Sequence, residues 1–273
     1  MSARASAPQE ARVAEQPARK SAAHPLIAIE VDENAPVRNP VGVFLYRALE
    51  IAVTAVAIVV SLPIILVEAL VIRLDSPGPA FFFQTRFGRS RIMRGAELAG
   101  RTDIISATGR FEPDKRYHVP TTFRFVKFRT MYADAKERTP DLYRYEFASH
   151  EEFRAAFYKL DNDPRVTRVG RWLRKSTLDE LPNLWNVLTG KVALVGPRPE
   201  NTVYLPFYSA EEMKKFTVRP GITGLAVING RGELNIGGQI DWDLTYVRER
   251  SVLLDLKTIF ATVWMVIVRR GAF

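Results

Sequence analysis

RKSTLDELPNLWNVLTGKVALVGPRPE, residues 174–200, places an adjacent acidic pair, Asp179-Glu180, eighteen residues before an arginine set between two prolines, Pro197-Arg198-Pro199. Thr177-Leu178-Asp179-Glu180 has the T-x-x-E pattern of a capping box, and Leu181, Leu184, Trp185 and Leu188 follow at helical spacing. The pattern predicts a helix that begins at Thr177 with both acids in its first turn. Complementing the positive end of that helix accounts for the acids structurally. The same geometry suits chemistry, because a helix N-terminus keeps a carboxylate ionised and therefore nucleophilic. Neighbouring carboxylates also suit Mg²⁺, which is held by one or two carboxylates plus substrate phosphate oxygens. Arg174 precedes the acids by a turn and is placed to pair with either. Arg198 in its rigid turn suits phosphate recognition, and two further turns, at Arg219-Pro220-Gly221 and Asn229-Gly230-Arg231-Gly232, repeat the theme.

Working outward, Lys and Arg outnumber Asp and Glu by 39 to 30, a net charge of +9 that favours anionic partners: nucleic acid, a phospholipid surface or phosphorylated substrates. The absence of Cys excludes disulfides, thiol catalysis and Cys-ligated zinc, and His24, His118 and His150 are too scattered to form a metal set. Residues 1–40, rich in Ala, Arg, Pro, Ser and Glu, read as a disordered tail rather than a signal peptide.

The apolar peak is uncharged from Ile51 to Val67, IAVTAVAIVVSLPIILV. As a helix it measures roughly 26 Å, slightly less than the ~30 Å hydrocarbon core of a bilayer. Pro63 interrupts it, and cations flank both ends, Arg47 and Arg73. A helix kinked at proline that enters and leaves by one face requires such flanks, and an ordinary tilted span with a tolerated proline fits the pattern equally. Beyond it, residues 80–84 and 121–131 read as strands, the second with a basic edge of Arg124, Lys127 and Arg129. Residues 88–120 read as a loop insertion and 132–160 as charged helix. Asp163-Pro164 reads as a helix start, followed by a basic face (Arg165, Arg168, Arg171, Arg174, Lys175) opposite Val166, Val169, Trp172 and Leu173. Such a helix suits either an anionic membrane surface or plain solvent. Near the C-terminus, residues 251–270 form a broad apolar helix ending at Arg269-Arg270, fit for the membrane interface or for the core.

These motifs resemble the bacterial sugar transferases, the monotopic phosphoglycosyl transferases that start glycan assembly on a polyprenyl carrier. The resemblance runs from about Val43 to Arg270 through DSPGPAFFFQTRFGR (75–89), KFRTM (127–131), residues 163–190, VGPRPE (195–200), VRPGITG (218–224), NGR (229–231) and the SVLLDLK stretch (251–257). It implies transfer of a sugar-1-phosphate from a UDP-sugar to undecaprenyl phosphate, giving undecaprenyl-diphosphate-sugar and UMP. It further implies Asp179 as nucleophile and metal ligand, Glu180 as its dyad partner, Arg174 as the residue orienting the dyad, Arg198 and Arg231 on phosphate, Mg²⁺ as cofactor and Pro63 as the break of a re-entrant helix. The chain departs from the family pattern at Leu62, where Ser usually precedes the kinking proline, at Leu225 and Val227 in GLAVINGR, and in the length of residues 90–120.

The expected protein is therefore of α+β class, mostly helical and monotopic. It comprises a tail (1–40), a re-entrant membrane helix (41–74) and a catalytic domain (75–273) with an insertion at about 90–120 and a C-terminal amphipathic helix at about 251–270. The expected partners are a UDP-sugar, undecaprenyl phosphate and the phospholipid membrane, with no nucleic acid and with homo-oligomerisation left open. The expected location is the cytoplasmic face of a bacterial inner membrane. Two rivals are a membrane-tethered, non-catalytic binding module for acidic partners, motivated by the net charge, and an inactive scaffold in a polysaccharide assembly complex. No recognition-helix, RNA-binding or zinc pattern supports the first, and the intact dyad argues against the second.

Overall fold

A computed structural model describes residues 25–33, 39–143, 145–157, 160, 162–230 and 233–268. Most of the expected N-terminal tail, Arg231 and the Arg269-Arg270 pair lie outside these residues. About half of the described residues are helical, in a mixed α and β arrangement.

After a short strand β1 (Leu26–Glu30), the chain enters α1 (Pro40–Asp75), where the Asn39 side chain caps the first turn by accepting from Val41 N at 3.0 Å and Pro40 opens the helix. The helical run passes through Pro63 without a break. The Ser61 hydroxyl, displaced by one residue from its usual place before the proline, donates back to Ala57 O at 2.7 Å. By length and composition α1 can cross a membrane, and only 17% of its most apolar window is buried. Its end is fixed by Arg129, a buried residue of the KFRTM motif. This guanidinium donates to Ser76 O at 2.8 Å, Pro77 O at 2.8 Å and Pro79 O at 2.7 Å, so one rigid fork satisfies the carbonyls of the Ser-Pro-Gly-Pro turn. Gly78 has φ +119 there, and a Cβ would meet that of Ala133 at 3.0 Å, so the turn needs glycine.

The body of the fold is built on β2 (Phe81–Phe87) and β6 (Thr122–Phe128), antiparallel from Phe81↔Phe128 to Phe87↔Thr122. Between them the chain forms β3 (Arg91–Arg94), α2 (Gly95–Leu98), β4 (Ile104–Ser106) and β5 (Arg116–Val119). After β6 come the short helices α3 (Ala135–Arg138) and α4 (His150–Ala155), then α5 (Arg168–Ser176) and α6 (Leu184–Leu188). Next are β7 (Ala193–Val195), β8 (Glu200–Asn201), β9 (Gly221–Thr223), α7 (Leu225–Ile228), α8 (Ile236–Glu249) and α9 (Val252–Ile267). Strand β6 is buried on both faces. Phe128 packs with Ile72 of α1 and Leu173 of α5, while Phe123 and Phe125 pack with Val187 and Val192. A fully buried side chain of this size contributes about 1.5–3 kcal/mol, so this strand is the seam joining α1 to the body.

Both ends of α1 grip that body. Near its start, Arg47 donates to Val187 O at 2.7 Å and Leu188 O at 3.0 Å, closing the C-terminus of α6. The buried Glu50 carboxylate accepts from Leu194 N at 2.8 Å and Arg219 at 2.9 Å. At the far end, Asp75 accepts from Val169 N at 3.2 Å in the first turn of α5.

Three expectations need correction. Residues 26–30 are not a disordered tail: β1 lies inside a sheet of order β3-β5-β1-β4, parallel to β4 and antiparallel to β5. Residues 88–120 are therefore not simply a loop, because they supply the other three strands and the core residues Leu98, Ile104, Tyr117 and Val119, around Ala28. The helix expected at Asp163-Pro164 begins later. Asp163 is engaged by Arg165 at 2.7 Å, and the Thr167 side chain is the cap, accepting from Gly170 N at 2.9 Å. A Cβ on Gly170 would lie 2.0 Å from Thr130 O, so this close approach sets where α5 can run. The 132–160 segment holds only short helical turns. Strands β2 and β6 and helix α9 lie where the sequence places them. Leu253, Leu256, Phe260, Val263 and Trp264 of α9 are exposed rather than buried in the core.

Candidate active site

Helix α5 ends at Thr177, which adopts the left-handed conformation with φ 65 and ψ 6. This is an unfavourable state for a β-branched residue. The reversal starts a 3₁₀ turn, Leu178–Asn183, that carries both acids before α6 begins. The predicted capping box does not form. The Thr177 side chain makes no cap hydrogen bond, and its carbonyl accepts from Glu180 N at 3.3 Å. A six-residue 3₁₀ turn offers little macrodipole, so the surroundings of Asp179 depend on side chains instead.

Asp179 is buried and Glu180 half-buried, on a turn packed against β6. The Arg174 guanidinium is held by Thr130 Oγ1 at 3.0 Å and interacts electrostatically with Asp179. Burial pushes the Arg174 pKa down, and the Asp179 charge opposes that shift. Lys127 reaches the same site from β6. Burial pushes its ammonium pKa down, while Asp179 and Glu180 pull it back up. Arg174 is thus placed with Asp179, and Lys127 with both acids.

Arg86 links this cluster to the Arg198 turn. Its charge acts on Lys127, it stacks 4.9 Å from the Phe125 centroid, and it donates to Pro199 O at 2.7 Å. Arg198 itself is exposed on a turn whose flanking Pro197 and Pro199 are buried. Its backbone N–H donates to Asp243 Oδ1 at 3.2 Å. Behind the turn, Lys215, 2% exposed, sits 3.0 Å from Asp243 and 3.2 Å from Glu200, and Tyr208 donates to Glu200 at 2.6 Å. Burial pushes the Asp243 carboxyl pKa up, assisted by the like charge of Glu200 and opposed by Lys215. Burial works against the Lys215 ammonium too, but the two carboxylates outweigh it and raise its pKa.

An apolar cleft of about 410 Å³ opens between α1 and α5. Pro63, Ile64, Val67, Val71, Trp172 and Leu173 line it, and Glu68 is its one charged wall residue. Sequence reading missed Lys127, Arg86 and Glu68 as site residues. Lys127 shares one face of β6 with the buried Phe123 and Phe125, which signalled its inward direction. Nothing local in the sequence marks the other two.

Two adjacent carboxylates thus lie among buried cations, on a body that carries an exposed apolar helix long enough to cross a membrane. The chain belongs to the bacterial sugar transferases, whose family model matches residues 41–94 and 110–269. The part left out, 95–109, contains α2 and β4 of the accessory sheet. The exopolysaccharide production protein ExoY of Rhizobium meliloti is 31% identical over 94% of this chain and 99% of its own length. The UDP-glucose:undecaprenyl-phosphate glucose-1-phosphate transferase of Escherichia coli is 34% identical over 84% of this chain and 41% of its own. An Aeromonas hydrophila relative, named as a UDP-N-acetylgalactosamine-undecaprenyl-phosphate N-acetylgalactosaminephosphotransferase, is 31% identical over 86% of this chain and 46% of its own. Family membership makes this chain a phosphoglycosyl transferase and leaves the binding-module alternative unsupported.

Proposed function

We propose that this enzyme transfers a sugar-1-phosphate from a UDP-sugar to undecaprenyl phosphate, the initiating step of a bacterial surface polysaccharide, through a covalent intermediate on Asp179. The observation that carries the reading is the buried Asp179, flanked by Arg174 and Lys127 and set against a helix able to enter a membrane. The Asp179 carboxylate attacks the β-phosphorus of the donor. A bond forms between the aspartyl oxygen and phosphorus, the bridging P–O bond breaks, and UMP leaves. Undecaprenyl phosphate then attacks the same phosphorus and returns Asp179 to its free form. Two easier displacements replace one difficult one, and the soluble nucleotide leaves before the lipid reacts.

Arg174 orients Asp179 through its hold on Thr130, and Lys127 neutralises charge on the transferring phosphoryl group. Glu180 supports the dyad. Arg198 and Arg231 hold donor phosphates in this reading. Among the described residues no group of three metal-ligating side chains occurs. The Asp179-Glu180 pair fits Mg²⁺, which needs only one or two carboxylates when substrate oxygens complete its shell. Bound there, the ion supplies charge stabilisation to the diphosphate.

The anchor is re-entrant in this reading. From Arg47 to Asp75, 28 residues on, a straight helix measures about 42 Å, yet both of these residues bond to the same body. A helix crossing a ~30 Å hydrocarbon core cannot return both ends to one domain on one side. Bending at Pro63 removes the conflict, with the exposed apolar face of α9 resting in the interface and the catalytic domain at the cytoplasmic face of the inner membrane. Asp179→Asn tests the proposal: it is expected to abolish UMP release from a UDP-sugar in the presence of undecaprenyl phosphate and Mg²⁺, and full turnover would sink it. A panel of UDP-sugars in the same assay identifies the sugar.

A further inference from the structure

Of the three arginine turns that stand out in the sequence, the proposed reaction uses Arg198 and Arg231 and leaves Arg219 without a task. The Arg219 side chain turns toward α1 and donates to Glu50 Oε2 at 2.9 Å. Glu50 is 2% exposed and fully engaged: Oε2 also accepts from Arg47 at 2.5 Å, and Oε1 accepts from Leu194 N at 2.8 Å. A buried ion pair adds little stability over well-packed apolar side chains of similar volume, so these charges have a use other than folding energy.

Their placement supplies one. Leu194 is the middle residue of β7, which leads into Gly196-Pro197-Arg198-Pro199, and Arg219 stands two residues before β9. Two three-residue strands paired only with each other are marginal on their own. The turns at their ends touch backbone to backbone. Gly221 N donates to Pro197 O at 2.8 Å, and a Cβ on Gly196 would lie 2.5 Å from Arg219 O. A shift of Arg219 is therefore passed directly to Pro197 and Arg198. Glu50 clamps this pair from outside, one oxygen on β7 and the other on the residue leading toward β9. Arg47, one turn earlier on α1, holds Val187 O and Leu188 O at the end of α6, and α6 follows directly on the turn that carries Asp179 and Glu180. Two neighbouring residues of α1, joined by their own ion pair, thus hold the segment behind the dyad and the segment ahead of Arg198 in one frame.

We propose that Glu50 and Arg219 are positioning residues: their ion pair sets the Arg198 turn relative to Asp179 for the donor diphosphate, and Arg219 acts without touching substrate. This rests on the reading of Arg198 as a donor-phosphate residue. Without the ion pair the turn still forms, held from behind by Asp243 and Lys215, but it is no longer fixed to the frame that carries the dyad. The loss falls on capture of the UDP-sugar. Attack of the lipid on a preformed intermediate is spared, because the nucleotide has left by then.

Full-length protein in detergent carrying Glu50→Gln, Arg219→Gln or both provides the test. Gln keeps the side-chain shape and an acceptor for Leu194 N, and Arg47 and Arg219 are each 23% exposed, so no sealed cation is left behind. Each single variant is expected to lower kcat/KM for the UDP-sugar by up to about 100-fold, chiefly through KM, the scale of a misplacement of about 1 Å. Discharge of the phosphosugar-enzyme by undecaprenyl phosphate is expected to keep its wild-type rate. The double variant is expected to lose no more than the worse single, since both remove one coupling. Hydrogen exchange is expected to quicken at residues 193–199 in all three. Should Glu50→Gln not fold, Arg219→Gln carries the test, and unchanged exchange at 193–199 overturns the proposal. A loss confined to Arg219→Gln, with Glu50→Gln like wild type, overturns it by showing that Arg219 meets the donor directly. Equal loss of both half-reactions, the mark of a purely structural pair, overturns it too. Affinity for UDP-sugar in an Asp179→Asn background separates the layers of the reading, because it needs no covalent step. Affinity lost in Arg198→Ala but kept in Glu50→Gln overturns the positioning role alone, whereas affinity kept in Arg198→Ala refutes the donor-phosphate reading and the positioning role with it.

Discussion

Replacing Lys215 with Met tests whether the Arg198 turn is held by buried charge. Lys215 is 2% exposed and stands 3.0 Å from Asp243 and 3.2 Å from Glu200. Met keeps most of the stem volume but removes the ammonium, leaving two buried carboxylates facing one another. Breaking a buried ion pair by removing one partner costs about 3–5 kcal/mol. For a domain of this size, that is a fall in Tm of about 6–20 °C. The defect also has a pH signature. Burial already raises the Asp243 carboxyl in the native state, and loss of Lys215 raises it further. A group whose folded pKa exceeds its unfolded value contributes stability that is complete below the unfolded value, near 3.9 for Asp, and is lost as pH rises through the folded one. The penalty of Lys215→Met is therefore smaller at pH 5 than at pH 8. Because the Arg198 N–H donates to Asp243, the donor half-reaction weakens as well. Thermal unfolding in detergent at the two pH values is the assay. A fall of less than about 2 °C, or a penalty that grows as pH drops, would refute the charge argument.

Arg129→Lys keeps a cation but cannot place three donors on the Ser76, Pro77 and Pro79 carbonyls at once. It is expected to cost about 3 kcal/mol on the scale of charged hydrogen bonds, and hydrogen exchange should accelerate locally at residues 72–80. A global loss with no local change would contradict that account. Re-entrance is tested by impermeant thiol labelling of single-Cys variants, which the absence of native Cys makes simple. Positions in 30–45 and in 75–90 are expected to react from the same side, and opposite-side labelling would establish a true span.

The parts legible in the sequence were those with local causes. The alternation of Phe123 and Phe125 with Arg124 marked β6, and the apolar run to Val67 marked the anchor. The acids at 179 and 180 stood out by adjacency. What escaped depends on distant partners. Strand β1 pairs with residues 104–106, far along the chain, and its short apolar run, Leu26 to Ile29, has no local partner to distinguish it from the polar sequence on either side. Thr177 in the left-handed region turns an expected capped helix into a 3₁₀ turn, a choice made by packing against β6 rather than by propensity. Arg129 reads as a basic strand edge until the Ser-Pro-Gly-Pro turn is folded over it, and Glu68 as a mere interruption of an apolar helix until α5 closes beside it.

The central claim is that Asp179 carries the phosphosugar. Intact-mass measurement of acid-quenched enzyme, after incubation with UDP-sugar and Mg²⁺ but no lipid, tests it most directly. The account predicts an adduct of one sugar-phosphate, mapped to the peptide containing Asp179, absent in Asp179→Asn and discharged by undecaprenyl phosphate. An unmodified protein that releases UMP only when the lipid is present would contradict it.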